Sequence, residues 1–484
     1  MLRRNPLFSR RQLLGGASGL AALAAFGPAD AAPDTPAVRP LPRRGKILIR
    51  GGYVMPIDGD DIPGGDVAID GNKIVAVGKD LKLSGAQVID ATGHIVMPGL
   101  VETHWHLWCT LLRNMAGTDP KHGYFPMTTA LGKAYQPEDM RLGALLSAAE
   151  AIHSGITTVH DWCHNVMGPD YARADLRALE ESGLRARFSY GVSRRTTNDQ
   201  KTDLADLEAL HRDWKQHDPD GRLSLGLAWR GVQYALPTAG KWEVRPMPEE
   251  VWRAEYDGAR KLGLPISAHA NSWAPDQGHI AAMQRLGVLF DGLQIIHGIS
   301  ATAEEMQALA EARGSVSMSP ASELRIGYGV SRLNDWIASK TLVTLSVDTT
   351  PLTGNADMFN IMKLAENAAN GTALNEFKLT PRQIIRMATL EGAKGLGLDD
   401  ITGSLVAGKR ADVILVDTRA VNMTPFTDAP HALVNSAQGW NVDTVIIDGR
   451  ILKKAGRLVG LDPGKLGASA AAANQALVAR AGWT

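Results

Sequence analysis

Hydrophobic positions follow two alternating patterns along most of the chain. Short runs rich in Val, Ile and Leu are followed by Gly, Asn, Thr or Ser and predict strands, whereas longer stretches with helical spacing predict helices. The predicted helices include residues 137–153, 171–182, 248–262 and 303–312. The eight predicted strands lie at residues 100–104, 156–161, 186–192, 223–229, 265–270, 293–298, 315–319 and 342–348.

This alternation predicts an α/β fold, a (β/α)8 TIM barrel that we place at residues 93–402. An open doubly wound sheet is the alternative, but no Gly-rich phosphate loop follows the first strand. In a barrel the carboxyl ends of all strands meet at one face. Side chains that are far apart in the sequence therefore converge there.

The segments on both sides of the barrel are also β-rich. Residues 33–92 and 403–460 contain many Val, Ile and Gly residues, and each is too short to be secure alone. We therefore expect them to pair as one small composite β-sandwich domain built from both chain ends. Residues 461–484 are Ala-rich and predict a C-terminal helix or tail.

Residues 1–32 are typical of an export signal. Arg10 and Arg11 precede a weakly apolar run at 13–26, and Ala29-Asp30-Ala31 offers a small-x-small cleavage site. This pattern resembles a twin-arginine signal, so we expect export by the Tat machinery to the periplasm or the medium. The alternative interpretation is an ordinary amphipathic N-terminus.

Composition excludes several classes of partner. Lys plus Arg equals Asp plus Glu at 51 each, so a general attraction to nucleic acid or an acidic membrane is not expected. No apolar stretch approaches the roughly 20 residues that a membrane helix requires, so stable membrane insertion is not expected. The two cysteines, Cys109 and Cys163, are more consistent with free thiols than with a disulfide framework.

Five singular polar residues lie at or just beyond predicted strand ends. His104 and His106 are two residues apart, so both side chains project to the same side of a strand. His269, His297 and Asp348 close three later strands. In a barrel all five would meet at one face, and imidazole and carboxylate groups that converge in this way are typical of a divalent metal site.

The chain resembles the amidohydrolase superfamily, in particular its cytosine deaminase and chlorohydrolase-like branch. The resemblance covers about residues 46–458. It rests on His269, on His297 and on the motifs PGLVETHWH at 98–106, SVDTT at 346–350 and GKRADVILVD at 408–417.

The resemblance implies a divalent metal, Zn in the first place and Fe or Mn as alternatives. One metal is favoured over two, because no strand ends at a Lys suited to bridge two metals. The implied ligands are His104, His106, His269 and Asp348. Asp348 would also be the catalytic base, and His297 would contact the activated water or the substrate.

One position departs from the pattern of this branch. Its deaminases usually carry Glu three residues after the histidine of the fifth strand, whereas Ser272 stands there in this chain. A serine hydroxyl is a poor proton shuttle near neutral pH. We therefore expect hydrolysis of an amide, urea, carbamate or cyclic amidine rather than deamination of an aromatic amine.

Candidate substrate residues follow the strands. Glu323 stands where the branch usually has Asn, and is either an acid facing the substrate or a surface residue paired with Arg325. Tryptophans close to strand ends suggest an aromatic or heterocyclic substrate. The candidate substrate-binding residues are Trp108, His164, Trp229, Ser272, Trp273 and Glu323.

The leading hypothesis is an exported metal-dependent hydrolase that acts on a C–N bond of a small molecule. A deaminase or dechlorinase of an N-heterocycle is the alternative, as is a non-hydrolytic, decarboxylase-type member, since a fold and a metal do not fix the reaction. An exported metal-containing binding protein that has lost turnover is the alternative from another class. The resemblance also suggests a homo-oligomer.

Overall fold

The described chain contains an eight-stranded barrel sheet and a second, nine-stranded sheet, with helices between the barrel strands. The computed structural model describes residues 38–238 and 241–484, so the predicted export signal at 1–32 lies outside the described residues. The strands are β1 (Lys46–Val54), β2 (Ile62–Asp70), β3 (Lys73–Gly78), β4 (Gln87–Asp90), β5 (His94–Pro98), β6 (Leu100–Trp105), β7 (Ile156–Cys163), β8 (Arg185–Tyr190), β9 (Leu223–Trp229), β10 (Gln233–Thr238), β11 (Lys241–Pro246), β12 (Ile266–Ala270), β13 (Gln294–His297), β14 (Ser315–Met318), β15 (Leu342–Leu345), β16 (Val413–Asp417), β17 (Val442–Ile447), β18 (Arg450–Lys454) and β19 (Arg457–Leu458).

Helices cross between the barrel strands as the pattern predicts. Capping residues define where several helices begin. Thr302 accepts a hydrogen bond from Glu305 N ahead of the helix Ala303–Glu311, and Pro137 is the first residue of the helix Pro137–Ser154. None of the helices in the described part of the chain combines the length and apolarity that a membrane-spanning segment requires. The α-helices are α1 (Tyr124–Gly132), α2 (Pro137–Ser154), α3 (Pro169–Ser182), α4 (Leu204–Arg212), α5 (Trp214–His217), α6 (Glu249–Lys261), α7 (His279–Arg285), α8 (Ala303–Glu311), α9 (Pro320–Ile326), α10 (Leu333–Ala338), α11 (Thr350–Thr353), α12 (Met358–Ala373), α13 (Pro381–Met387), α14 (Leu390–Gly395), α15 (Ala429–His431) and α16 (Pro463–Ala481).

Eight parallel strands form the barrel sheet, in the order β15-β14-β13-β12-β9-β8-β7-β6. Each coincides with one of the eight predicted strands, and the predicted barrel is confirmed. The last strand is shorter than predicted, because regular pairing with β14 ends at Leu345.

The barrel closes between its first and last strands through Asp348. This residue forms a parallel bridge with Trp105. Its amide N–H donates to His104 O, and its carbonyl accepts from His106 N, each at 2.8 Å. Glu102 reinforces the same seam, because its Oε1 accepts from His104 N at 2.9 Å and from Val347 N at 3.0 Å.

The second sheet joins the two ends of the described chain. Its strand order is β19-β18-β17-β16-β5-β1-β2-β3, with β4 paired to β1. The junction is the antiparallel pair of β5 and β16, in which Met97 lies opposite Ile414. Apolar side chains from both halves, such as Ile49, Val67 and Val413, form a small core of its own. The composite β-domain is therefore confirmed, whereas the exact domain boundaries remain a prediction.

A buried ion pair joins this sheet to the barrel. Arg185, at the start of β8, donates from Nε to Asp412 Oδ2 at 2.7 Å, and the two side chains are 2% and 0% exposed. Asp412 Oδ1 also accepts from the backbone N–H of Asp448 at 2.8 Å. Burial alone would raise the pKa of Asp412, but the Arg185 charge outweighs it and holds the pKa below its usual value.

Removing one partner of this pair strongly destabilises the fold. We expect Asp412→Ala to lower the free energy of unfolding by about 3–5 kcal/mol, because it removes the closer counter-ion of the buried Arg185 and leaves only Asp448, at 3.6 Å. Urea unfolding of the purified variant measures this. Asp291→Ala is the control, because Asp291 pairs with Arg313 at an exposed site and its loss should cost less than about 1 kcal/mol. Equal effects of the two variants would contradict the role given to the buried pair.

Candidate metal centre

The carboxyl ends of the barrel strands bring the five predicted polar residues together. Asp348 Oδ1 lies 3.3 Å from His104 Nε2 and 3.4 Å from His106 Nε2. His104, His106 and Asp348 place one ligand atom each within 4.8 Å of one another, and so do His104, His269 and His297. His104 belongs to both groups and is the centre of the cluster.

Local backbone geometry aims two of these side chains. His297 and Asp348 have φ angles of 72° and 67°, in the left-handed region that residues other than glycine rarely adopt. Such conformations are costly and persist where the surrounding structure imposes them. At Asp348 the constraint is the pair of backbone hydrogen bonds that closes the barrel.

The donor set fits a divalent metal. Both ring nitrogens of His104 are buried and have no hydrogen-bond partner in the described chain, which is unfavourable for an imidazole unless an ion uses one of them. His106 donates from Nδ1 to Trp162 O at 2.8 Å, and this leaves Nε2 directed toward Asp348. Several imidazoles and one carboxylate form a ligand set that zinc accepts.

Burial keeps the candidate ligands in the form that binds metal. It lowers the pKa of His104, His106 and His269 well below the usual value, and the proximity of the other histidines adds to the effect. These imidazoles are therefore neutral near pH 7. Burial also raises the pKa of Glu102, behind the ligands, to about 8.

His297 differs electrostatically from the other three histidines. It donates from Nδ1 to Glu323 Oε1 at 3.1 Å. Burial alone would lower its pKa, but the hydrogen bond to Glu323 and the charges of Asp348 and Glu323 raise it above the usual value. His297 is therefore the histidine of the cluster that most readily carries a proton.

Glu323 is buried and bonded to His297 rather than to Arg325, so the interpretation as a surface residue is wrong. It is fully buried in α9, where its carboxylate also accepts from Ser319 N at 2.8 Å and from the Ser331 hydroxyl. Its contacts are structural and orient His297. The adjacent Arg325 is exposed.

Ser272 lies at the edge of the cluster, buried and three residues after His269. Its backbone N–H is 3.4 Å from a carboxylate oxygen of Asp276. Asp276 is engaged by His279 Nδ1 at 3.2 Å and by Gln233 Nε2 at 3.1 Å. The Asp276 carboxylate is therefore already engaged by three neighbouring groups.

The predicted aromatic residues are only partly brought to the site. Trp108 donates from Nε1 to His164 Nδ1 at 3.3 Å, and the His164 ring lies 4.0 Å from that of His106. Trp273 is half-buried, 5.9 Å from the ring of Tyr328. Trp229 does not line the site, and its prediction is wrong: it packs outward, 6.4 Å from Trp252 in α6, because alternation along β9 turns it away from the barrel interior.

Three residues of the site were not among the candidate site residues. The ring of Trp162 lies 4.3 Å from that of His269. Its spacing of two residues from the candidate His164 at the end of β7 could have indicated that both side chains face the site. Tyr328 lies 5.4 Å from the His297 ring. Arg194 contacts His164. Tyr328 follows helix α9 and Arg194 follows strand β8. Both lie in irregular loops, where no periodic pattern predicts the direction of a side chain.

Comparison with known proteins agrees with this architecture. Residues 95–452 match the model of the Amidohydrolase family. A 5'-deoxyadenosine deaminase of Methanosarcina acetivorans is 32% identical over 90% of this chain and 99% of its own length. A 5-methylthioadenosine/S-adenosylhomocysteine deaminase of Moorella thermoacetica is 31% identical over 86% of this chain and 96% of its own.

Solved structures show the same fold. An adenosine deaminase from Xanthomonas campestris with bound zinc superposes with a TM-score of 0.78 at 24% identity, covering 90% of this chain and 100% of its own. Atrazine chlorohydrolase from Arthrobacter aurescens, complexed with zinc, gives a TM-score of 0.75 at 23% identity, covering 88% and 100%. At these identities the likeness establishes the fold alone.

Barrel, cluster and matched residues together define the class: the chain belongs to the amidohydrolase family. It is an enzyme, a hydrolase that acts on carbon–nitrogen bonds.

Metal content tests the candidate ligands directly. We expect the purified protein to hold about one equivalent of divalent metal and His104→Ala to hold far less, because His104 belongs to both ligand groups. Elemental analysis by mass spectrometry after dialysis measures this. His431→Ala, which removes an exposed histidine, should keep the wild-type content. Full metal content in His104→Ala would remove this residue from the ligand set.

Glu323→Gln tests the orientation of His297. The variant removes the charge that favours the protonated imidazole, so we expect turnover to fall by about 10- to 100-fold. Metal content should stay close to that of the wild type, whereas the melting temperature should fall, because the Gln amide nitrogen cannot accept one of the buried hydrogen bonds. Glu376→Gln, at an exposed position, is the control, and unchanged turnover in Glu323→Gln would show that the hydrogen bond is not used.

Proposed function

We propose that this protein is an exported, mononuclear zinc hydrolase that cleaves an amide, urea, carbamate or cyclic amidine C–N bond in a small aromatic or heterocyclic compound. The observation that carries the proposal is the position of Asp348 Oδ1, 3.3 and 3.4 Å from two buried imidazoles. His104, His106, His269 and Asp348 would hold the ion. Iron or manganese would suit the same ligands.

The bound ion would supply a Lewis acid that makes water nucleophilic near neutral pH. Asp348 would accept the proton of the attacking water and deliver it to the leaving nitrogen. His297, held by Glu323 through Nδ1, would donate from Nε2 to the oxygen that gains charge on the substrate. The carboxylate of Asp348 and the imidazolium of His297 are sufficient for the proton transfer and the hydrogen-bond donation that this reaction requires.

The absence of a glutamate at position 272 supports this choice of bond. Deamination of an aromatic amine requires protonation of a ring nitrogen as well as of the leaving amine, and Ser272 is a poor proton shuttle. Amide-type cleavage requires protonation of the leaving nitrogen alone. The indole of Trp162 beside His269 and the ring of Trp273 at the rim suit a flat substrate.

Deamination of an adenosine-like nucleoside is the second candidate. It is favoured by relatives with 31–32% identity that are named deaminases of 5'-deoxyadenosine and of 5-methylthioadenosine/S-adenosylhomocysteine. It would require another proton carrier in place of Ser272. Export through a twin-arginine signal to the periplasm or the medium belongs to the proposal and rests on sequence features alone. A homo-oligomeric state also belongs to the proposal and rests on family analogy.

Product analysis separates these reactions. Zinc-loaded protein is incubated with N-acyl aromatics, aryl ureas, cyclic amidines, 5'-deoxyadenosine and aromatic acids, and products are identified by mass spectrometry. We expect an amine plus an acid, with turnover lowered by about 100- to 10,000-fold in Asp348→Asn. Asp291→Asn, at an exposed site, is the matched control.

Each other outcome corresponds to a different assignment. Exchange of an amine for oxygen would select the deaminase. Release of carbon dioxide from the aromatic acids, with no C–N bond cleaved, would select a decarboxylase-type reaction, whereas carbon dioxide from an aryl urea accompanies C–N hydrolysis. Ligand binding without turnover in either protein would indicate a binding protein. Wild-type turnover in Asp348→Asn would contradict the role of this residue as the base.

A further inference from the structure

Arg194 places a cation beside the candidate metal centre. It lies in the loop after β8, and its Nη2 is 2.5 Å from His164 Nε2. The His164 ring in turn lies 4.0 Å from that of His106. The guanidinium carbon is 5.9 Å from the centre of the Trp108 ring. The His164 ring therefore separates Arg194 from the candidate ligand His106. From this position Arg194 can contact a substituent of a substrate whose reacting bond lies at the metal centre.

Arg194 has no acidic partner among the described residues, unlike Arg185 and Arg230 of the same barrel. Arg185 is paired with Asp412, and Arg230 is paired with Glu255 at 2.5 Å. Among residues 38–238 and 241–484, no carboxylate lies within ion-pair distance of Arg194, and its Nε is buried without an acceptor. A buried N–H of a charged group without an acceptor is costly, so an acceptor supplied by a ligand would be favourable here.

The hydrogen bonds around His164 leave one donor unused. Trp108 Nε1 points at Nδ1 of His164 from 3.3 Å, and Arg194 Nη2 points at Nε2. Both neighbours are donors only, whereas a neutral imidazole offers one acceptor nitrogen. One of the two N–H groups is therefore without an acceptor, and the unused donor lies at the same wall of the site.

We propose that Arg194, with the N–H of Trp108, binds a carboxylate carried by the substrate, which makes the substrate a carboxylated aromatic or heterocyclic amide, urea or cyclic amidine. This inference rests on the proposed function of the metal centre. A guanidinium fork matches a planar carboxylate in bidentate geometry. A divalent ion and an arginine in one site also favour a ligand that carries negative charge.

Binding of matched acids and amides tests the proposal without turnover. The probes are benzoate, nicotinate and hippurate, each compared with its neutral carboxamide by ligand-observed NMR titration. Titrations use metal-free protein, in which no ion competes for the carboxylate, and are repeated with zinc. The variants are Arg194→Gln and Arg194→Lys, with Arg195→Gln as control, because the exposed Arg195 side chain donates to Lys133 O instead.

We expect wild type and Arg195→Gln to bind at least one acid about tenfold or more tightly than its amide, since a hydrogen bond to a charged group contributes about 1.5–3 kcal/mol. Arg194→Gln should lose this preference, and Arg194→Lys should keep part of it. The proposal is overturned if the wild type shows no preference for any acid, or if Arg194→Gln retains it. A preference that appears only with zinc and survives Arg194→Gln would place the carboxylate on the metal and would also overturn it.

The outcome is independent of the test of the proposed function. If the Arg194-dependent preference is found but no C–N bond is cleaved, the proposed function fails and the binding site stands. If uncharged amides are cleaved and Asp348→Asn is inactive while the preference is missing, the proposed function stands and the carboxylate site fails.

Discussion

The seam between the first and the last barrel strand is the constraint on which the site depends. Asp348 closes that seam with its backbone, by exchanging hydrogen bonds with His104 and His106. The same residue directs its carboxylate to the side chains of these two histidines. Barrel closure and assembly of the candidate metal centre are therefore one event, and any displacement of the last strand misplaces a ligand.

Electrostatic interactions within the cluster give its four histidine side chains two different roles, metal ligand and proton donor. Burial lowers the pKa of His104, His106 and His269 and keeps their lone pairs available to a metal. A buried carboxylate, Glu323, reverses the effect at His297. Four histidines with one intrinsic pKa thus become three neutral ligands and one proton donor. The hydrogen bond from His297 to Glu323 contributes most to the raised pKa of His297, and the charges of Asp348 and Glu323 add to it.

Much of this site could be predicted from the sequence, and the reasons are physical. Strand and helix periods differ, so the eight strands were found close to their observed bounds, and residues at strand ends must meet at one face of a barrel. The predictions failed where direction depends on tertiary packing. Trp229 turns toward α6, and Glu323 turns inward from a short helix that the sequence pattern does not define. Arg194 lies in a loop whose course no periodicity specifies.

The buried pair of Arg185 and Asp412 has a consequence for the order in which the chain folds during synthesis. Arg185 leaves the ribosome 227 residues before its counter-ion Asp412. Strand β5 is made even longer before its neighbour β16. Until residues 412–417 emerge, the base of the barrel carries a cation without this counter-ion and the second sheet has an unpaired edge. The barrel base and the second sheet are therefore completed together, after all eight barrel strands have been made. A nascent chain truncated before Asp412 leaves the edge of β5 unpaired, and an exposed strand edge of this kind is prone to pair with other chains.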